Sequence, residues 1–116
     1  MADRFSRSED TDPGEFVIRV RRDPDAVVLE LFGELDRRTA RQLEHQLTVV
    51  LRTAEQHIVV DLSALERIDG AGVRTLLRVH RRCCARDIEL TLLRGPPDVQ
   101  HVLEGSEAID VLAFDD

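Results

Sequence analysis

The chain first shows a two-residue period. Phe16, Ile18 and Val20 alternate with Val17, Arg19 and Arg21, the mark of a half-buried strand. Asp23-Pro24-Asp25 then supplies turn chemistry, because proline pre-sets φ and aspartate can bond its own backbone. Alternation resumes over 26–33, with Val27, Leu29 and Leu31 on one side and Val28 and Phe32 on the other, so the two segments predict a hairpin. After Gly33-Glu34-Leu35 the period lengthens. Asp36 is expected as an N-cap, and Ala40, Leu43, Leu47, Val50, Leu51 and Ala54 follow at helical spacing. The other face of that helix carries Arg41, Gln42, Glu44, His45, Thr48 and Arg52, a solvated surface. Residues 57–62 contain the unalternating run Ile58-Val59-Val60, ended by Asp61, which suits a central strand buried on both faces.

Residues 63–68 read as a loop leading to Asp69-Gly70-Ala71-Gly72, where a second helix starts with Asp69 as its expected N-cap. Val73, Leu76, Leu77, His80 and Cys84 form its expected inner stripe, with Arg74, Arg78, Arg81 and Arg82 outside. Another strand is expected over 88–93, with Leu90 and Leu92 inward. Pro96-Pro97 opens a short third helix bearing Val99, Val102 and Leu103, and Gly105 stops it. Ile109, Val111, Leu112 and Phe114 close the chain as an apolar edge segment. The order is β-β-α-β-α-β-α-(β). It predicts an α/β domain over 15–116 with a mixed, mostly parallel sheet, an N-terminal hairpin, and helices crowding on the sheet through right-handed crossovers. Residues 1–14 are polar, carry Pro13 and Gly14, and read as a flexible lead-in.

Composition narrows the function by exclusion. A chain of 116 residues makes one domain that buries roughly 65% of its unfolded surface, so no disulfide or metal is required. The net charge of −7 argues against nonspecific nucleic-acid binding, which depends on neutralising phosphates. All 16 basic residues are arginine. That removes a phosphate-loop lysine, a Schiff-base lysine and the lysine of a phosphoacceptor receiver domain. Tryptophan and tyrosine are absent too, so no aromatic platform for bases or sugars exists. The adjacent Cys83 and Cys84 have no partners at metal-ligand spacing and read as small helix residues. No apolar run reaches membrane-spanning length and no signal segment is visible, so the cytoplasm is the expected location.

In parallel strand–helix sheets, function gathers in loops at the carboxyl ends of strands. Here those loops are 33–38 and 61–72. Both lead into helix N-termini, whose unpaired N–H groups and dipole favour anions. Catalysis finds little support. Asp36 and Asp69 read as caps, His45 and His57 fall at solvent and at a strand start, and His80 reads as a satisfied core histidine. No serine, cysteine or threonine occupies a strand-to-helix elbow with a base nearby. Gly70-Ala71-Gly72 lacks the lysine and length of a phosphate loop and reads as close packing of a helix start.

Leu31-Phe32-Gly33-Glu34-Leu35-Asp36, followed by Arg37-Arg38-Thr39-Ala40, resembles the "L-x-G-E-L-D" stretch of anti-sigma factor antagonists in the STAS domain superfamily. Ile58-Val59-Val60-Asp61-Leu62-Ser63 and Ile68-Asp69-Gly70-Ala71-Gly72-Val73 resemble that family's second signature, usually "D-L-S … I-D-S-[SA]-G-L". The similarity runs over about 15–114, nearly the whole chain. It implies a non-enzymatic cytoplasmic regulator that takes no cofactor or metal and acts as a monomer or weak homodimer. It further implies binding to an anti-sigma factor, a serine kinase of ATPase-like fold, so that a sigma factor is released. The partner-binding residues it implies are Glu34, Asp36, Arg37, Arg38, Thr39, Asp69, Gly70, Ala71, Gly72 and Arg74. One position departs from the pattern. Switchable members carry a phosphorylated serine where this chain has Gly70, so the usual switch cannot operate there, and Ser63 and Thr75 are the nearest hydroxyls. A scaffold role in a lipid-transport ATPase or stressosome-like assembly is the alternative. Arg37, Arg38, Arg74 and Arg78 lie near the expected binding face, where guanidinium–carboxylate pairing would orient a partner.

Overall fold

The computed structural model describes residues 15–53 and 56–115. The expected lead-in over 1–14 and the helical position of Ala54 lie outside them. Strand β1 (Val17–Arg22) turns through an Asp23 N–H to Ala26 carbonyl bond of 2.9 Å into β2 (Val27–Leu35), its antiparallel partner. Helix α1 (Ala40–Leu51), β3 (His57–Asp61), β4 (Leu65–Ile68), α2 (Gly70–Ala85), β5 (Glu89–Leu93) and α3 (Pro97–Glu104) follow. A short 3-10 turn (Glu107–Asp110) precedes β6 (Phe114–Asp115). The sheet order is β1-β2-β3-β5-β6, with β4 added to β2, and every pairing except β1–β2 is parallel. The mixed, mostly parallel sheet and its hairpin are as the sequence predicts.

Strand β4 corrects the loop expected over 63–68. Its ends, Leu65 and Ile68, are buried and its middle pair, Glu66 and Arg67, is exposed, so no two-residue period announces it. It exists because β2 outruns β3. The first part of β2 pairs with β3 from Val27 to Glu30, and the last part pairs with β4 from Gly33 to Leu35, with a register shift between Gly33 and Glu34. Gly33 sits at φ +97°, and a Cβ there would run into the carbonyl of Glu15, so this irregularity requires glycine.

Strand β3 is also not buried on both faces. Ile58 and Val60 are buried, whereas His57, Val59 and Asp61 are half-buried. Ile58 and Val60 share one core with Leu29, Leu31, Leu90 and Leu92 and with Leu43, Leu47, Val50, Leu76, Val79 and Cys83 of the two long helices. The opposite face of the sheet, carrying Val28, Glu30, Phe32, Val59, Thr91 and Leu93, lies outside that core. Helices therefore crowd on one face. Both long helices start from the carboxyl end of the sheet, which places their first turns side by side.

The inner stripe of α2 is rotated from the expected one. Gly72, Val73, Thr75, Leu76, Val79 and Cys83 are buried, Leu77 is half-buried and Cys84 is exposed. Gly72 faces inward in this rotated stripe, where a Cβ would collide with the Leu35 carbonyl and the Ile68 side chain. His80 is not a satisfied core residue: its Nε2 lies 3.4 Å from Cys84 Sγ, and its buried Nδ1 has no partner among the described residues. Burial pushes the Cys83 thiol up to about 11, with the neighbouring Cys84 adding to the shift.

Candidate functional site

Two loops meet at the carboxyl end of the sheet. Pairing of Leu35 with Ile68 delivers both chains to the same edge, and the Asp69 N–H reaches back to the Leu35 carbonyl at 3.4 Å. At Gly72 a Cβ would strike that same carbonyl, so glycine lets the start of α2 lie close against the end of β2. The Asp36 and Asp69 loops are therefore neighbours at one edge of the sheet.

Each loop is built around an aspartate. Asp36 Oδ1 accepts from the backbone N–H groups of Arg38 at 2.9 Å and Thr39 at 3.2 Å. Asp36 is not the expected N-cap of α1, a position Thr39 holds without a side-chain bond; it instead closes the 37–39 turn that runs into the helix, because the chain makes this extra turn before Ala40. The Thr39 hydroxyl donates to the Glu34 carbonyl at 2.8 Å and accepts from the Asp36 N–H at 3.0 Å, tying the turn to the end of β2. Burial alone would raise the Asp36 carboxyl. Hydrogen bonds from the Arg38 guanidinium and from the Arg38 and Thr39 backbone outweigh it and hold the group below the ordinary carboxylate value. In the second loop, Asp69 Oδ1 accepts from the Gly72 N–H at 3.0 Å, the N-cap expected from the sequence.

The expected site residues divide by what their side chains do. Asp36, Thr39, Asp69 and Gly72 hold the backbone in shape. Arg38 is also engaged within the chain, 3.0 Å from Asp36 Oδ2 and 3.7 Å from Glu34 Oε1, so it is not a free cation. Arg37, Gly70 and Arg74 are exposed, and Ala71 is half-buried between them and the core. A Cβ placed on Gly70 would meet Arg74 Nη1 at 3.5 Å, an ordinary contact, so the site has room for a side chain that this chain lacks. The two hydroxyls weighed as substitutes sit elsewhere. Ser63 is exposed in the turn between β3 and β4, its N–H bonded to Asp61 Oδ1 at 2.9 Å. Thr75 is fully buried, donating to the Ala71 carbonyl at 2.8 Å and accepting from Arg78 at 3.1 Å.

The structure adds residues that the sequence pattern assigned to solvent. Between α1 and α2 runs a groove of about 400 Å³ lined by Arg37, Ala40, Arg41, Glu44, Ala71, Arg74, Thr75 and Arg78. Arg41 and Glu44 looked like members of a solvated helix face. The available signal was two arginine pairs four residues apart, Arg37 and Arg41 running from the turn into α1, and Arg74 and Arg78 on α2. Glu44 joins the helices by accepting from Arg78 at 2.9 and 3.1 Å, and Arg82 adds a 2.9 Å bond to Thr48. Among the described residues, no group of histidine, cysteine, aspartate or glutamate side chains could hold a metal ion. No helix among them is long and apolar enough to cross a membrane.

Comparison with known proteins agrees with this arrangement. The family model described as "Mlab, STAS domain" matches residues 18–111. BtrV of Bordetella bronchiseptica, designated an anti-sigma factor antagonist, is 32% identical over 81 residues, which span 70% of each chain. An anti-sigma factor antagonist from Mycobacterium paratuberculosis superposes with a TM-score of 0.79 at 19% identity, covering 90% of this chain and 88% of that one. SpoIIAA, an anti-sigma factor antagonist solved in its unphosphorylated form, superposes with a TM-score of 0.70 at 24% identity, covering 86% and 89%. At those identities the two structures are alike in fold.

Proposed function

Because the chain belongs to the STAS domain family, among its anti-sigma factor antagonists, we propose that it binds an anti-sigma factor and thereby releases a sigma factor. The binding surface in this reading is the 36–39 turn together with the first turn of α2, and the partner is a serine kinase of ATPase-like fold. The carrying observation is the junction of β2 and α2, where Leu35 pairs with Ile68 and the Asp69 N–H bonds the Leu35 carbonyl, which brings two separate loops into one surface. A preorganised surface binds with less ordering cost than two mobile loops would. The protein works here by complementarity, not by turnover.

Gly70 sets the regulation. It sits exposed at the start of α2, where the family's switchable members present a serine hydroxyl, and it offers only hydrogens. A phosphate there would add about −1.5 to −2 charge in the middle of the partner surface. Without it the protein stays in its binding-competent form. Thr75 does not replace the missing hydroxyl, since a kinase would have to unwind α2 to reach it. Ser63 lies at the far end of β4, away from the loop junction.

The test is affinity capture with the full chain from lysate of its source organism, followed by incubation of the recovered complex with ATP. Recovery of a serine-kinase anti-sigma factor, with no phosphorylated form and no release, is the expected result. Stoichiometric phosphate on Ser63 or Thr75 with dissociation would overturn the unswitched reading. Recovery of a membrane permease in place of a kinase would overturn the antagonist reading itself.

A further inference from the structure

We infer that the groove between α1 and α2 receives an acidic segment of the binding partner, its carboxylates pairing with Arg37, Arg41 and Arg74; this rests on the antagonist reading for the partner's identity. The groove has four guanidinium groups on its walls and one carboxylate, Glu44. That carboxylate is already committed to Arg78. No carboxylate among the described residues lies within ion-pair distance of Arg37, Arg41 or Arg74. Arginines elsewhere in this acidic chain do find carboxylates: Arg19, Arg21 and Arg38 each pair with one close by. Three unpaired cations gathered on one groove, in a protein of net charge −7, form a local field opposite in sign to the whole.

Geometry says where the segment lies. Both helices start at the same sheet edge, and the Arg78–Glu44 and Arg82–Thr48 bonds bridge them further along. The groove is therefore tied at its deeper end and open towards the loop junction. Arg37, Ala71 and Arg74 belong both to the groove and to the surface proposed for the partner, so an occupant continues that interface without a break. The lining between the arginines is small, with Ala40, Ala71 and Thr75, which leaves space for side chains from outside. Guanidinium forks favour carboxylates bidentately, and paired charges of this kind fix register and speed association.

The experiment measures binding of the captured anti-sigma factor, and separately of a fluorescein-labelled glutamate-rich peptide, to wild type and to Arg41→Glu, Arg74→Glu, Arg41→Lys and Arg81→Glu at several salt concentrations. Arg81 is exposed on α2 but does not line the groove, so it controls for net charge. Each groove reversal is expected to weaken both ligands by about tenfold or more and to flatten the salt dependence. Arg41→Lys should retain most binding and Arg81→Glu nearly all. Equal losses in Arg81→Glu, or unchanged affinity in the groove variants, would overturn the inference while leaving the antagonist reading intact. Peptide binding that maps to the groove when no anti-sigma factor binds the wild type would do the reverse. Tight, groove-dependent binding of a single-stranded oligonucleotide, or concentration-dependent self-association lost in Arg74→Glu, would assign the groove to a different occupant and overturn it.

Discussion

Gly70→Asp should make the domain more stable and the complex weaker, a split that few substitutions produce. Gly70 opens α2, its backbone needs no positive φ, and a Cβ there has room. Replacing glycine at a compatible position gains about 0.4–1 kcal/mol by restricting the unfolded chain. A carboxylate in the first turn gains a further ~0.3–1 kcal/mol from the helix dipole. An aspartate four residues before Arg74 adds about 0.2–0.5 kcal/mol. The sum is about 1–2.5 kcal/mol, or a rise in Tm of roughly 4–10 °C. Against the partner the same carboxylate carries a negative charge into a closing interface and draws Arg74 away from it, costing about 2–4 kcal/mol, a loss of affinity of about 30-fold or more. Thermal denaturation gives the first quantity and calorimetric titration with the anti-sigma factor the second. Lower Tm would refute the account of the helix start. Unchanged affinity with raised Tm would place position 70 outside the binding surface.

Gly72→Ala should destabilise the fold by about 1–3 kcal/mol, because its Cβ would strike the Leu35 carbonyl and lie 2.7 Å from Ile68 Cγ1; denaturant titration checks it, and a neutral result would mean the loop junction is loosely packed. Asp36→Ala should cost about 1 kcal/mol at neutral pH through loss of the turn cap. Since the folded carboxyl lies below the unfolded value of 3.8, its contribution is present above that pH and fades as pH falls through the folded value, so wild type and variant should converge in strong acid. Cys83 carries the opposite sign. Its thiol rises from 9.0 to about 11, so the unfolded chain ionises first and stability should fall by up to about 2–3 kcal/mol between those pH values. With no lysine or tyrosine in the chain, that alkaline limb is uncluttered, and Cys83→Val should flatten it. Alkylation of the native protein should modify Cys84 and spare Cys83 until unfolding.

The parts of this fold that were legible in the sequence are those where one residue's period follows directly from burial. The hairpin, both long helices and the two strands after them announce themselves through apolar spacing. The parts that were not legible depend on a neighbour. Strand β4 has a polar middle, and only the overhang of β2 past its register shift makes a strand of it. The rotation of α2 turns inward Gly72, a residue that scores as neither apolar nor polar yet sits where no side chain would fit. Both candidate loops were legible because caps and strand ends are local. The arginine groove was not, since it exists only when two helices start side by side, and each half alone looks like a solvated face.

Position 70 and the groove are connected through Arg74. Its Nη1 lies 3.5 Å from where a side chain at position 70 would begin. In a chain with a phosphoserine at that place, Arg74 would be the nearest cation within the domain, one helical turn on, and phosphorylation would take its charge away from any partner. Here nothing at position 70 competes for it. Losing the hydroxyl thus does two things on the proposed reading: it removes the negative charge that would expel a partner, and it leaves the guanidinium permanently available to hold one. Gly70→Ser therefore tests both at once. Unphosphorylated, the variant should bind as wild type does, because a hydroxyl neither fills the site nor neutralises Arg74. Once phosphorylated, it should lose the salt-dependent part of its affinity as well as the shape-dependent part, and Arg74→Ala in the same background should then cost nothing further. If Arg74→Ala still weakens the phosphorylated variant, the arginine acts on the partner independently of position 70, and the connection fails.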